Sequence, residues 1–414
     1  MRTYHSSLDL VRARSVERPV ALVRPDATAV AARWFQENFN GSVFYAVKAN
    51  PSPWAIQTLV DNGVTCFDVA SLPEVELVQS VLPNARLAFM HPVKSRAAIT
   101  RAYFDHGVKT FSLDCHEELQ KILDATGGAN DLSLIVRLAV SSDSASYPLS
   151  GKFGVTQEQA PSLLLAARRA TQELMGVSFH VGSQCMRPTA YQAAMSQASR
   201  SLVRAGVLAD VVDVGGGFPS VYPGMIPPAM ADYVDSIHRG FEDMMVHETT
   251  ELWCEPGRAL VSESTSVLCK VELRKGDALY LNDGAYGSLF DATHSKWPFP
   301  VKLVRGAEDE ASAELKPFKF YGPTCDSIDV MPGPWFLPED VREGDYVEIG
   351  MLGAYGVAMA TRFNGYGDVE TVEVSDAPMG SMFGLARRSI PLPKTEESTV
   401  VRFNRARGKK RRRR

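Results

Sequence analysis

Eight short apolar runs, spaced by stretches of helical periodicity, constrain the fold of this chain more than any other feature of its 414 residues. They span residues 43–47, 64–69, 86–90, 109–113, 132–139, 176–179, 211–214 and 252–254, and their β-branched and aromatic content reads as buried strand. Helical patterns lie between them. Ser52 and Pro53 open one, Ile56, Leu59 and Val60 give it an apolar face, and Gly63 stops it. Residues 72–82, 95–106, 116–125, 157–172 and 191–205 repeat the pattern. Strand followed by helix at this spacing implies right-handed parallel βαβ units. Eight of them in roughly 240 residues match the size of a closed (β/α)8 TIM barrel.

The pattern changes after Arg258. Residues 261–274, 279–281, 318–321, 346–349 and 371–374 read as strands, with turns at 275–277, 332–334 and 343–345 and no clear amphipathic helix. A second, mostly antiparallel β domain is expected there. The expected division is an N-terminal segment over 1–18 that can join either domain, a barrel over 19–260, a β domain over 261–400 and a tail over 401–414.

Charge and cysteine usage narrow the function classes. The net charge is −4, yet Arg402 to Arg414 holds nine Lys and Arg and no acid, which leaves −13 on the rest. Such a run cannot pack and reads as a disordered basic tail. Nothing else in the chain supports nucleic-acid binding as a main function. Six scattered cysteines without a C-x-x-C pair argue against zinc and against a disulfide framework, and fit a reducing cytoplasm. No apolar run approaches a membrane span, and the first residues lack the apolar stretch of a signal peptide. A cytoplasmic protein without a membrane partner is expected.

In a barrel of this kind the active site lies at the C-terminal ends of the strands. The first strand delivers Lys48 there. On its own this lysine is either a snorkelling side chain at a strand end or an amine held at a cavity mouth to bind an aldehyde cofactor. The second strand ends at Asp68, the fifth carries Arg137, the sixth ends at His180 ahead of Ser183, the seventh at Gly215, Gly216 and Gly217, and the eighth at Glu255 and Arg258. Core packing does not require polar and glycine residues from six strands to converge on one rim. Glycines let backbone N–H groups approach a phosphate, though a triplet alone is more often a turn. Arg258 can add charge to that phosphate or form a structural ion pair. Glu255 can keep a pyridine nitrogen protonated, or act as a salt-bridged carboxylate. His180 can lie flat on a ring, or be a hydrogen-bonded core residue. Together these groups point to pyridoxal 5'-phosphate far better than any one does.

Six segments carry a family resemblance: Tyr45-Ala-Val-Lys48-Ala-Asn50, His180-Val-Gly-Ser183-Gln184, Gly215-Gly-Gly-Phe218, Glu255-Pro-Gly-Arg258, Gly322-Pro-Thr-Cys325-Asp326, and Gly353-Ala-Tyr355 with Phe363-Asn-Gly365. The chain resembles the group IV ornithine decarboxylases, members of the alanine-racemase-like, fold type III pyridoxal phosphate enzymes, over roughly Arg18 to Tyr366. The resemblance implies the two-domain fold already read and a head-to-tail homodimer with two shared active sites. It makes Lys48 the Schiff-base lysine, stacks His180 on the cofactor ring and sets Glu255 against the pyridine nitrogen. Ser183, Gly216, Gly217, Arg258 and Tyr355 match its phosphate-binding positions, with Gly215 in the same cradle, and Asp68 and Arg137 match positions around the ring and lysine. Lys152-Phe-Gly154 matches a family segment that forms an interface ion pair. Cys325 and Asp326 are implied to enter from the partner subunit, Cys325 handling the proton at Cα and Asp326 meeting the substrate's distal ammonium. Asp291 is the implied second carboxylate. Phe290 stands where many relatives have tyrosine, so a phenol contact is lost.

The expected reaction is pyridoxal phosphate-dependent decarboxylation of a basic, diamino L-amino acid, ornithine in preference to lysine, in polyamine synthesis. Diaminopimelate decarboxylase is the near alternative. It has Cys-Glu-Ser where this chain has Cys325-Asp326-Ser327, and it needs a cation for a distal carboxylate. A catalytically dead homologue that regulates by binding is the alternative of a different class, and Lys48, Glu255 and Cys325 argue against it.

Overall fold

The protein is described by a computed structural model covering residues 2–140, 145–147, 151–295, 297–307 and 309–385. The basic tail lies outside these residues. All eight apolar runs form one closed parallel barrel: Ser42–Ala46, Cys66–Val69, Arg86–Phe89, Thr110–Leu113, Ser133–Arg137, Met175–Ser178, Val211–Asp213 and Glu251–Cys254. Closure is made where Trp253 and Cys254 pair with Ser42 and Val43. Barrel strands covered on both faces need no polar alternation, which is why these runs read as continuous apolar stretches.

Inside the barrel Phe44, Met90, Ile135, Val211 and Trp253 form a plug, with the Phe44 and Trp253 rings 4.5 Å apart. The Arg86 guanidinium lies 4.7 Å over Trp253 and donates to Glu251 at 2.9 Å. Arg86 and Glu251 each begin a strand, so the plug seals the N-terminal end and leaves the opposite rim for a site.

Around the barrel run the expected helices Pro53–Asp61, Leu72–Val81, Arg96–Phe104, His116–Ala125, Ala160–Ala170 and Thr189–Ala205. Two more, Pro25–Asn38 and Met230–Glu242, were not foreseen. The second follows a stretch with Pro219, Pro223, Gly224, Pro227 and Pro228, whose loop signal hides the buried face made by Met230, Tyr233, Val234 and Ile237. No helix among the described residues is long and apolar enough to cross a membrane.

Of the eleven other strands, Ala145–Tyr147 and Ser183–Cys185 pair antiparallel on their own, and nine build one mixed sheet. Five of its eight ladders are antiparallel. Thr265–Lys275 is its axis and pairs with Val20–Val23, Ala278–Leu281 and Tyr346–Ile349. Val20–Val23, which the sequence reading placed at the start of the barrel, is a sheet strand, and Thr3–Tyr4 joins the same sheet through Glu370–Val374. A four-residue apolar run buried throughout carries no mark of which sheet it enters. Val330–Pro338 is also a strand, although 332–334 read as a turn; its ladder with Leu315–Tyr321 slips register between Phe318 and Phe320.

One buried ion network ties the first sheet strand to the last described segment. Arg24 donates to Asp376 at 2.8 Å and to Glu348 at 3.2 Å, and Lys302 reaches the other Glu348 oxygen at 2.8 Å. Burial pushes the Glu348 carboxyl up, but Lys302 and Arg24 outweigh it and hold the group down at about 2. Removing one member of such a network strands buried charges, at a cost of about 3 kcal/mol. Glu348→Gln is therefore expected to lower the guanidinium unfolding midpoint at pH 7. A depressed carboxylate stabilises above its ordinary value of 4.5 and loses that contribution as pH falls toward 2, so the gap from the parent should shrink at pH 3. Equal midpoints at pH 7 would contradict the role given to this network.

Candidate active site

The open rim of the barrel surrounds a cavity of 480 Å³, within the range of small-molecule and cofactor sites. Lys48 reaches it because Ser42–Ala46 ends early and a single 3-10 turn, Val47–Ala49, swings the lysine over the mouth. The turn is pinned from both domains. Tyr45 donates its hydroxyl to the Asn50 carbonyl at 2.9 Å, Asn50 donates to the Gly353 carbonyl at 2.9 Å, and the Tyr355 N–H donates to the Ala49 carbonyl at 2.8 Å. Lys48 Nζ donates to Asp68 Oδ2 at 2.7 Å. Burial opposes the lysine's charge, but Asp68, Glu255 and Tyr355 outweigh it and raise Lys48 above its ordinary value. Its side chain is still 44% accessible because it faces the cavity, whereas Asp68 is 1% exposed.

His180 follows the sixth barrel strand. Its Nδ1 accepts the Gly182 N–H at 2.9 Å, which leaves the ring proton on Nε2. Burial, then the charges of Arg137 and Lys48, push it down to about 3, so the ring is neutral at working pH. Gly216 packs against it: a Cβ there would stand 2.8 Å from the Glu255 carbonyl oxygen and 3.2 Å from His180 Nε2. Gly217 has φ +101°, and its Cβ would meet the Gly182 carbonyl at 2.5 Å. Only glycine fits either position. Both line the cavity, whereas Gly215 stands behind the wall and gives its N–H to Asp213 Oδ1 at 2.8 Å.

Glu255 and Asp213 are buried together. Burial pushes the Glu255 carboxyl well up, and the Asp213 and Asp68 charges push it further. Asp213 is pushed up to about 6 by burial. Glu255 Oε1 and Asp213 Oδ2 have no other partner, so one proton held between the two groups satisfies both.

Arg258, at the start of the short helix Arg258–Val261, donates to Asp291 at 2.6 and 3.3 Å and to the Tyr222 hydroxyl at 2.8 Å. Its Nε has no partner, and its guanidinium lies 5.2 Å over the Tyr355 ring. Asp291 is thus paired with Arg258 rather than standing free, and neither it nor Phe290 is among the residues that line the cavity. Phe290 stacks on His294 with centroids 4.2 Å apart. Arg137, Ser183, Lys152 and Tyr355 line the cavity. Cys325 and Asp326 do not. They sit on the connection between Leu315–Tyr321 and Val330–Pro338, away from the cavity of their own chain, and Cys325 is exposed.

The sequence reading passed over four residues that the geometry brings forward. His91, at the end of the third strand, lines the cavity; the rim rule applied to that strand would have found it. Asp213 is one turn ahead of the glycine triplet. Tyr286 donates to Asp326 Oδ2 at 2.6 Å, and Asn364 contacts Cys325. Asn364 stands in the Phe363-Asn-Gly365 segment on which the resemblance rests, without a role of its own there, and Tyr286 carries no local signal.

A phosphorylated pyridine aldehyde fits this cavity. Gly216 and Gly217 leave room where a Cβ would intrude, and Arg258 is the buried cation beside them. Glu255 lines the cavity with a carboxyl pushed well up and so offers a protonated group to a basic ring atom, and Lys48 supplies the amine an aldehyde needs.

Known proteins agree. Residues 27–262 match the family described as pyridoxal-dependent decarboxylase, pyridoxal binding domain, and residues 183–353 match its C-terminal sheet domain. The lysine/ornithine decarboxylase of Selenomonas ruminantium is 32% identical over 81% of this chain and 84% of that protein. Antizyme inhibitor 2 of Xenopus laevis is 31% identical over 78% and 73%. Among solved structures, the arginine decarboxylase of Paramecium bursaria Chlorella virus bound to agmatine superposes with a TM-score of 0.78, at 27% identity over 88% of this chain and 98% of that one.

The carboxyl pair makes the cofactor-free protein sensitive to pH. Both groups sit above their ordinary values, so the native state keeps protons that the unfolded chain has lost, and stability falls as pH rises through about 6. Asp213→Asn can accept from Gly215 and donate to Glu255. Relative to the parent it should therefore gain about 2 kcal/mol in guanidinium unfolding between pH 5 and pH 8. A variant that gains nothing over that interval would show that no proton is held between these groups.

Proposed function

This chain belongs to the pyridoxal-dependent decarboxylases, and from that premise we propose that it takes L-ornithine ahead of L-lysine and releases CO2 and the diamine, putrescine from ornithine, in polyamine synthesis. When bound, pyridoxal phosphate supplies an aldehyde carbon for the substrate's amine and a ring that accepts the electron pair left as CO2 departs. Every other task falls to the chain's own residues.

Lys48 is proposed to hold the cofactor and later to free the product. Its ammonium must lose a proton first, and Asp68, 2.7 Å away, is the base in reach. Glu255 keeps a proton at a buried carboxyl for the ring nitrogen, with Asp213 sharing it. His180, neutral and packed on Gly216, offers a flat uncharged face on the same wall. The backbone of Gly216 and Gly217, with Ser183, Arg258 and Tyr355, is assigned to the phosphate, and Arg137 to the ring's surroundings.

Cys325 and Asp326 are assigned to a cavity in a second copy of the chain, because neither lines its own. Exposed Ile328, Phe363 and Tyr366 beside them suit a homodimer contact. Asp326 is the proposed partner of the distal ammonium. The Tyr286 hydroxyl and the Ile328 N–H hold it below the usual carboxylate range, so it meets a cation as an anion. A carboxylate there disfavours diaminopimelate, whose distal end carries a carboxylate beside its ammonium. Asp291 is proposed as a second carboxylate, shared with Arg258, and Phe290 shapes that end of the pocket.

The observation that carries the reading is the convergence of Lys48, His180, Gly216, Gly217, Glu255 and Arg258 on one cavity. Its test is kcat/KM for L-ornithine, L-lysine, L-arginine and diaminopimelate side by side, with CO2 as the product measured. Ornithine should lead; one methylene separates it from lysine, which limits that preference to about 10–200-fold. Lys48→Ala should abolish the cofactor's protein-bound absorbance band and the CO2. CO2 from none of the four would contradict decarboxylation, and preference for diaminopimelate would contradict the role of Asp326.

A further inference from the structure

We infer that Asn364 is the residue that orients the Cys325 thiol. The inference rests on the reading of Cys325 as the group that protonates Cα. Asn364 Oδ1 lies 3.2 Å from the Cys325 N–H and 3.3 Å from Cys325 Sγ. The backbone contact settles which end of the amide faces the cysteine, since an N–H can only be met by oxygen. With the oxygen facing sulfur, the thiol must be the donor. No other hydrogen-bond partner of this sulfur occurs among the described residues.

The amide is held in place by its own turn and by Tyr286. Asn364 has φ 53° and ψ 15°, a left-handed conformation that asparagine tolerates better than most side chains. The Phe363 N–H donates to Thr361 Oγ1 at 3.4 Å, and Thr361 donates to the Tyr286 carbonyl through its N–H at 2.8 Å and its hydroxyl at 3.0 Å. The Tyr286 and Phe363 rings pack 4.9 Å apart, and the Tyr286 hydroxyl closes the circuit on Asp326. Two adjacent functional side chains are thus fixed by one clamp, the thiol by Asn364 and the carboxylate by Tyr286.

The chemical consequence is specific. When CO2 leaves, the electron pair at Cα takes the thiol proton: the S–H bond breaks, a C–H bond forms, and the thiolate regains its proton from water. An acceptor on the sulfur's proton fixes the direction in which that proton lies between turnovers. Asn364 acts through the Cys325 thiol, so it is a positioning residue.

Two substitutions test this without relying on turnover. Asn364→Gly removes the acceptor while suiting the positive φ, and Asn364→Asp retains an acceptor with a full negative charge. The thiolate is the alkylating species, so the rate of iodoacetamide modification at Cys325 reads the effect in the cofactor-free full-length protein, followed by peptide mass spectrometry at pH 7.5. The rate should rise about fivefold or more in Asn364→Gly and fall below the parent in Asn364→Asp, because the added charge disfavours the thiolate. Cys66 and Cys115, half-buried elsewhere, should not change. A loosened loop would raise the rate in both variants, and either that result or no change in both overturns the inference. In the loaded enzyme Asn364→Gly should lower kcat for ornithine about tenfold with KM within twofold, and Asn364→Asp should restore part of it. An unchanged kcat in Cys325→Ala would instead overturn the proton-donor reading, which the alkylation rates do not touch.

Discussion

The site depends on two carboxyl groups that cannot both be charged. Glu255 and Asp213 end neighbouring barrel strands, and burial raises both. The proton they retain lies at the wall of the cavity that Glu255 lines. The carboxylate of Asp68 is buried nearby and adds to the pressure on Glu255, while Lys48 balances it. One compact arrangement thus sets two protonation states in opposite senses. The carboxyl keeps its proton and the lysine keeps its charge.

Positioning comes from the junction of the two domains rather than from the barrel alone. Lys48 sits on a turn whose carbonyls are bonded by the sheet segment Gly353–Tyr355, and Asn50 returns the contact. Tyr355 adopts φ 56° to make that bond and presents its ring to Arg258. The sheet therefore does more than cover the barrel. It fixes the reactive lysine and one wall of the cavity, and on its far loop it carries Cys325 and Asp326 away from that same cavity.

Much of this was legible in the residues because barrel strands announce themselves as apolar runs and end on the same rim. Lys48, Asp68, His180, Gly216, Gly217, Glu255 and Arg258 could be placed by counting strands. Legibility failed where the signal is not local. Val20–Val23 has the look of a barrel strand, and only pairing with Thr265–Lys275 reveals its sheet. Asp213 reads as the residue before a turn until burial sets it against Glu255. Tyr286 and Asn364 are separated by about 80 positions, and nothing in either segment says that both close on Cys325 and Asp326. Arg258 read as a phosphate ligand or an ion-pair partner; the structure pairs it with Asp291 and also sets it in the cavity wall.

The central claim is that one active site draws on two chains, Lys48 from one and Cys325 from the other. Mixing inactive Lys48→Ala and Cys325→Ala proteins and allowing subunits to exchange tests it directly. Random pairing leaves half of the dimers mixed, each with one intact site, so CO2 release from ornithine should recover to about a quarter of the parent rate. If both residues served a site within one chain, mixing would restore nothing, and the shared-site account would be wrong.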